Sequence, residues 1–396
     1  MAVRIGTFNI ENLLNRFDFT GFRNQLRQDR ALRLYTIDSE ADYRRLEEAR
    51  MIASTDDTRQ HSALAIADAD ADILCLQEVE SLEALNAFEY GYLYKMVGEG
   101  YRQKYLIKGN DSRGIEVAVM MRERTRDGAP IEFIDIRSHA AVTFRDFGLY
   151  DEALTATEKP DDRIFRRDCL ELDVRIGGKR LTVFVSHFKS MTSPRNGMDG
   201  RTATMALRRA EARAVRRIIE TRFGQGVTHR NFVICGDMND YQEKLLISGD
   251  RRTGFAFTPT EERESALDVF SGDGFAENVV RRRAPDDRWT LFHARGLEER
   301  HLCQLDYIWL SPSLSEANPA AAPDIVRSGQ PFRTPFRLDR RSSAIPASAG
   351  TGRRRPIIAP SSWSSICREH RSRSRKRRFP ASRPGVSARR PCPRRA

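Results

Sequence analysis

The fold class predicted by the sequence is α/β, with a core of two sheets covered by helices. Three observations lead there. Seven short apolar runs recur before residue 311, two segments between them carry helical spacing, and the composition changes sharply after about residue 325. Val3–Ile10 begins the chain as a strand, and Thr58–Ala69 reads as a helix leading into the strand Ile73–Val79. Val117–Met121, Leu170–Ile176 and Leu181–His187 are further strands. Met205–Phe223 is rich in Ala and Arg and sets Leu207, Ala210, Ala214 and Ile218 near helical spacing. Phe232–Asp237 and Leu305–Leu310 complete the strands. Strands of mixed length with few helices suit two sheets flanked by helices. Residues 12–57 are charged and irregular and read as a surface excursion.

The organisation is one domain over residues 1–325 and an Arg/Ser/Pro-rich tail over 326–396. The tail has one Trp and one Phe from Arg337 onward, too little apolar surface to offset the entropy of ordering it. Disorder is expected there. The net charge of +12 also belongs to this tail. Arg337–Ala396 holds 18 basic and 2 acidic residues, and the remainder holds 49 and 53. The body is therefore mildly acidic, and the overall basicity is no evidence for a phosphate-binding face on it. Six dispersed cysteines form no C-x-x-C pair, so they read as buried reduced thiols rather than zinc or redox motifs. No apolar run has membrane-spanning length, and the N-terminus reads as a strand rather than a leader. A cytoplasmic location is the expectation.

Five strand ends carry polar groups suited to phosphate chemistry. In Thr7-Phe8-Asn9-Ile10-Glu11-Asn12, Asn9 and Glu11 are two apart and on a regular strand would face one side, although a polar turn gives the same pattern. Asp72-Ile73-Leu74-Cys75-Leu76-Gln77-Glu78-Val79 ends an apolar strand in Glu78, a hard oxygen donor for a cation such as Mg²⁺. Phe184-Val185-Ser186-His187-Phe188-Lys189-Ser190 puts His187 at another strand end. In Gly236-Asp237-Met238-Asn239-Asp240, Gly236 permits an unusual backbone, Asp237 could align a water and Asn239 could bond a phosphoryl oxygen; an Asx turn is the competing reading. Gln304-Leu305-Asp306-Tyr307-Ile308-Trp309 starts a strand with Asp306, which needs a partner; orienting a His is one common use.

Together, in this order, these motifs resemble the endonuclease/exonuclease/phosphatase family, which includes DNase I-like nucleases, abasic-site endonucleases, sphingomyelinases and inositol-phosphate phosphatases. The resemblance spans residues 3–312. It implies a four-layer α/β/β/α sandwich and hydrolysis of phosphate esters, in nucleic acid or a small molecule, with Mg²⁺ or Mn²⁺. Residue by residue it implies that Glu78 is the principal metal ligand with Asn9 and Glu11 nearby. His187 and Asn239 would stabilise phosphoryl oxygens, Asp237 would align the nucleophilic water, and Asp306 would orient a catalytic His.

That His is missing. The family's last motif is Ser-Asp-His followed by a short apolar strand, and this chain contains no Asp-His dipeptide. If GC-rich codons are assigned to Pro356–Arg368, the shifted frame reads Asp-His-Cys-Pro-Val-Val-Val-Val-Val-Asp-Leu-Pro. The reading is a frameshift between about residues 325 and 355, with the last strand absent, an open sheet edge beside it, and activity impaired. The alternative is a non-catalytic protein that binds nucleic acid through basic runs such as Arg375-Lys376-Arg377-Arg378.

Overall fold

Strand alternation decides which side chains face which layer. In β1 (Ala2–Leu13), Val3 and Ile5 face one side while Phe8 and Ile10 face the other. The computed structural model describes residues 2–17, 39–41, 50–51, 56–98, 100–192, 199–250, 252–295, 299–327 and 357–362. Most of the charged segment 12–57 lies outside them. After helix α1 (Asp56–Ala69) comes β2 (Ile73–Val79), which pairs with β1 in parallel. Helix α2 (Leu82–Phe88) and strands β3 (Gln103–Leu106) and β4 (Glu116–Met121) follow.

A second sheet uses β5 (Ile131–Ser138), β6 (Cys169–Ile176), β7 (Lys179–His187) and, beyond helix α3 (Met205–Phe223), β8 (Phe232–Asp237). Here β7 and β8 are parallel. Later elements include β9 (Glu243–Asp250), β10 (Gly254–Glu261), helix α4 (Asp268–Ser271), β11 (Glu277–Asn278), β12 (Leu291–Arg295), β13 (Glu299–Cys303), β14 (Asp306–Leu310), β15 (Asp324–Ile325) and β16 (Ile357–Ser362). The first sheet runs β15-β16-β1-β2-β4-β3 and the second runs β11-β14-β8-β7-β6-β5.

The two six-stranded sheets face each other across a core that includes Val3, Ile5, Ile73, Cys75, Val183, Val185, Val233, Cys235 and Ile308. On the outer face of the first sheet, Phe8, Leu74 and Leu76 pack with Ala63 and Ile66 of α1 and with Leu85 and Phe88 of α2. On the outer face of the second, Phe184, Phe232, Ile234 and Trp309 pack with Ala214, Val215 and Ile218 of α3 and Phe270 of α4. Each buried Val, Leu, Ile or Phe side chain among these contributes about 1.5–3 kcal/mol. The result is the four-layer α/β/β/α sandwich. No described helix is long and apolar enough to cross a membrane.

Two features differ from the sequence reading. A third sheet, β10-β9-β13-β12, lies between the fourth and fifth motifs over Leu245, Ile247, Trp289 and Leu302. Its apolar stretches are only two or three residues long, such as Leu245–Ile247 and Phe255–Phe257, and Ser248–Asp250 and much of β10 are solvent-facing, so no long apolar run announces it. The second difference is a correction. The last strand is not missing from the first sheet, and β1 has no open edge. β16 pairs with it antiparallel from Ala2↔Ser362 to Thr7↔Ile357, within the compact unit Met1–Ser364. Ladder pairing needs only backbone N–H and C=O groups on an extended segment, so it does not require the apolar run that the sequence reading looked for. The rest of Arg337–Ala396, where disorder was expected, lies outside the described residues.

Candidate active site

The inter-sheet parity of four strands ends in four polar side chains. On β1 the series Val3, Ile5, Thr7 leads to Asn9; on β7 Leu181, Val183, Val185 leads to His187; on β8 Val233, Cys235 leads to Asp237; on β14, read backwards, Leu310, Ile308 leads to Asp306. All four are buried. In the second sheet Asp237 lies opposite His187 on one side and Asp306 on the other.

Glu78 breaks this parity. On β2, Cys75 and Gln77 face between the sheets, so Glu78 on a regular strand would face the helices with Leu74 and Leu76. The β2–β4 register shifts between Gln77 and Val79, and Glu78 sits in the left-handed region at φ 67. That bulge turns its carboxylate inward. Glu11, Asn12 and Asn239 share the conformation, at φ 57, 59 and 48. Four of the six described non-glycine residues with positive φ are thus in this one cluster, a concentration of strain that marks functional sites. Gly236, just before Asp237, has φ 137, and a Cβ there would meet the Ser186 carbonyl oxygen at 1.9 Å. Only glycine lets β8 approach β7 this closely.

One amide organises the carboxylates. Asn9 Nδ2 donates to Glu78 Oε1 (3.2 Å) and to Asp237 Oδ2 (2.9 Å). His187 Nε2 lies 3.5 Å from Asp237 Oδ2 and 3.9 Å from Glu78 Oε1. The Asn12 N–H donates to Glu78 Oε2 (3.1 Å). Asn239 donates its N–H to Asp237 Oδ1 (3.0 Å) and its Nδ2 to the Phe188 carbonyl (3.0 Å). The Asp237–Asn239 segment is therefore an Asx turn and a member of the cluster at once. Glu11 enters through its backbone, whose N–H donates to Asn9 Oδ1 (2.9 Å). The same-side argument for Asn9 and Glu11 does not survive, because the strand turns left-handed at Glu11 and the β1–β2 register shifts between Asn9 and Leu13.

Asp306 is fully buried. Its Oδ2 accepts from Thr290 Oγ1 (2.8 Å), and Oδ1 has no hydrogen-bond partner among the described residues. Burial pushes its pKa up to about 7, against the lowering effect of the Thr290 bond. Thr290 Oγ1 in turn accepts the N–H groups of Leu305 (3.0 Å) and Asp306 (3.2 Å). Sequence reasoning missed Thr290 and Asn12, and no local signal pointed to either. Asp240, quoted in the fourth motif without a role, is structural: it accepts from Arg201 (2.7 Å), Ser265 (2.9 Å) and the Ala266 N–H (2.7 Å).

Among the described residues, no three His, Cys, Asp or Glu side chains are arranged as a metal-holding group. The donor set still suits a hard cation. Glu78 and Asp237 are two carboxylates drawn onto one amide and one imidazole, their mutual repulsion favours a cation, and Mg²⁺ is commonly held by one or two carboxylates plus water.

The model of the Endonuclease/Exonuclease/phosphatase family matches residues 6–328. The chain belongs to the endonuclease/exonuclease/phosphatase family. This is a family of phosphoester hydrolases that generally use divalent metals. Solved structures to which this family member is similar include a truncated TDP2 from Caenorhabditis elegans, at 13% identity, covering 91% of this chain and 98% of that one with a TM-score of 0.43. An endonuclease/exonuclease/phosphatase family protein from Bacteroides thetaiotaomicron matches at 12% identity over 91% and 97%, TM-score 0.44. Another from Beutenbergia cavernae matches at 13% over 91% and 71%, TM-score 0.46. No curated protein matches.

Proposed function

We propose that this protein is built as a Mg²⁺-dependent phosphoesterase and that the chain as written is catalytically impaired. The observation that carries the reading is the Asn9 amide bridging Glu78 and Asp237 with His187 beside both. Glu78 would hold the metal, with Asn9 and Glu11 near it, and the metal would supply neutralisation of charge on the phosphoryl oxygens. Asp237 would accept a hydrogen bond from the attacking water and align it with phosphorus. His187 and Asn239 would donate to the phosphoryl oxygens as charge develops there. The strained backbone at Glu78 and Asn239 supports this reading, since bulges that re-aim a side chain recur beside active sites.

Asp306 would orient a His that the chain does not supply. His370 is the only His after residue 301, and its Arg-Glu-His-Arg context gives no reason for it to reach the site. Loss of general acid–base help costs about 10²–10⁴-fold. The test compares this protein with a version whose reading frame is corrected to Asp-His-Cys-Pro-Val, both assayed with Mg²⁺ on bis-p-nitrophenyl phosphate, plasmid DNA and phosphomonoesters. Activity is expected in the corrected protein and little in the other. Equal, robust activity in both would remove the functional weight of the frameshift, and no activity in either would refute the phosphoesterase reading.

A further inference from the structure

The inter-sheet series of β7 runs Leu181, Val183, Val185 and then His187 at the rim. Phe188 stays with the opposite series, buried under α3. Lys189 follows two residues after His187, past the end of β7, and is half-buried.

Its backbone is fixed. The Lys189 N–H donates to Glu211 Oε2 (2.7 Å), and the other oxygen of that fully buried carboxylate takes the Arg166 N–H (3.1 Å). The Phe188 carbonyl accepts from both Arg167 Nη1 (3.1 Å) and Asn239 Nδ2 (3.0 Å), tying this segment to the Asp237 loop. Its charge, by contrast, is not neutralised. Arg113 and Arg167 share Asp111, each at 3.0 Å, and Arg166 pairs with Glu158. Among the described residues the Lys189 ammonium has no ion-pair partner. Burial lowers its pKa, and the guanidiniums of Arg167, Arg166 and Arg113 lower it further against the attraction of Glu211. A half-buried ammonium among like charges is unfavourable, and a bound anion relieves it. Through the Phe188 carbonyl that Arg167 and Asn239 share, this cationic segment joins the hydrogen-bond network of Asp237.

We infer that Lys189 is a specificity-determining residue that binds a second phosphate of the substrate, beside the phosphoryl group handled by Asn9, Glu78, His187, Asp237 and Asn239. This rests on the phosphoesterase reading and narrows it to substrates with two phosphates in close succession. Such a pair occurs along a polynucleotide backbone and on a phosphorylated polyol.

The test is site-resolved and needs no turnover. The full chain with Mg²⁺ receives a short pulse of acetic anhydride, and acetylation of each lysine is read by peptide mass spectrometry. The probes are thymidine 3′,5′-bisphosphate, an inositol bisphosphate and thymidine 5′-monophosphate. Lys104, paired with Glu89 at 3.3 Å, is the internal control. At equal concentration a bisphosphate is expected to slow Lys189 acetylation severalfold more than the monophosphate does, with Lys104 unchanged; the more protective bisphosphate identifies the source. Lys189→Gln is expected to weaken bisphosphate binding on the order of tenfold, as for one lost charge-assisted bond, with recovery in Lys189→Arg. Equal protection by mono- and bisphosphate, or unchanged affinity in Lys189→Gln, overturns the inference. Hydrolysis by the frame-corrected protein with Lys189 unprotected overturns it while leaving the phosphoesterase reading intact. Protection of Lys189 without hydrolysis by that protein supports it and counts against that reading.

Discussion

Asp306 offers a test of the candidate site that needs no enzymatic assay. Its carboxyl is fully buried, one oxygen has no hydrogen-bond partner among the described residues, and burial raises its pKa from 3.8 to about 7. The sign follows from which form the fold disfavours. The protonated acid is tolerated and the carboxylate is not, so the stability associated with this group is fully present below about pH 4. It is lost as pH rises toward 7 and does not fall further above that. A shift of about three units at 1.36 kcal/mol each sets a ceiling of about 4 kcal/mol. Against a domain stability of ~5–15 kcal/mol this is a large share. Asp306→Asn keeps an acceptor for the Thr290 hydroxyl and cannot ionise. Its buried NH₂ costs about 1–3 kcal/mol if left without a partner, but that cost is independent of pH. The measurement is urea denaturation of both proteins at pH 5 and pH 8 in EDTA, so that no metal contributes. The original chain should lose on the order of 2–3 kcal/mol more than the Asn variant between the two pH values. Parallel behaviour would refute the argument. In the frame-corrected protein a His beside Asp306 should lower its pKa and flatten the difference.

Three further outcomes are expected. Gly236→Ala forces a Cβ onto the Ser186 carbonyl at an unfavourable φ and should cost at least ~2 kcal/mol; an unchanged urea midpoint would show that β7 and β8 can separate at no cost. Asp240→Ala strips Arg201 of a buried partner and should cost about 3–5 kcal/mol, read by the same denaturation, whereas a loss below 1 kcal/mol would argue that Glu262 alone satisfies the guanidinium. In the frame-corrected protein, Glu78→Gln should lower Mg²⁺-dependent hydrolysis on the order of 10²-fold or more and raise the Mg²⁺ concentration required; undiminished activity would move the metal elsewhere.

How much of this was legible beforehand follows from what each signal depends on. Strand and helix placement rests on local apolar spacing, which is why Ile73–Val79, Phe232–Asp237 and Met205–Phe223 fall where the sequence puts them. Family membership rests on motif order, which needs no coordinates. The positions of Asn9, His187, Asp237 and Asp306 at strand ends were readable too, because a period of two carries each inter-sheet apolar series directly into its polar residue. So was the absence of an Asp-His motif, a property of the letters alone.

Other features only the tertiary structure decided. Parity alone sends Glu78 toward the helices, and it is the bulge beside β4 that turns it to Asn9. Glu11 reaches the cluster by its N–H because β1 leaves the extended form there. Thr290 meets Asp306 across a hairpin, and Arg167 meets Asn239 on the Phe188 carbonyl from distant segments. The third sheet hides behind half-exposed strands, and β16 closes an edge that its side-chain composition gave no reason to expect closed. Local spacing determines what a segment can become and which way its side chains alternate. Bulges, edge pairing and the neutralisation of charge depend on which strands lie alongside, and that is settled by contacts between residues far apart in the chain.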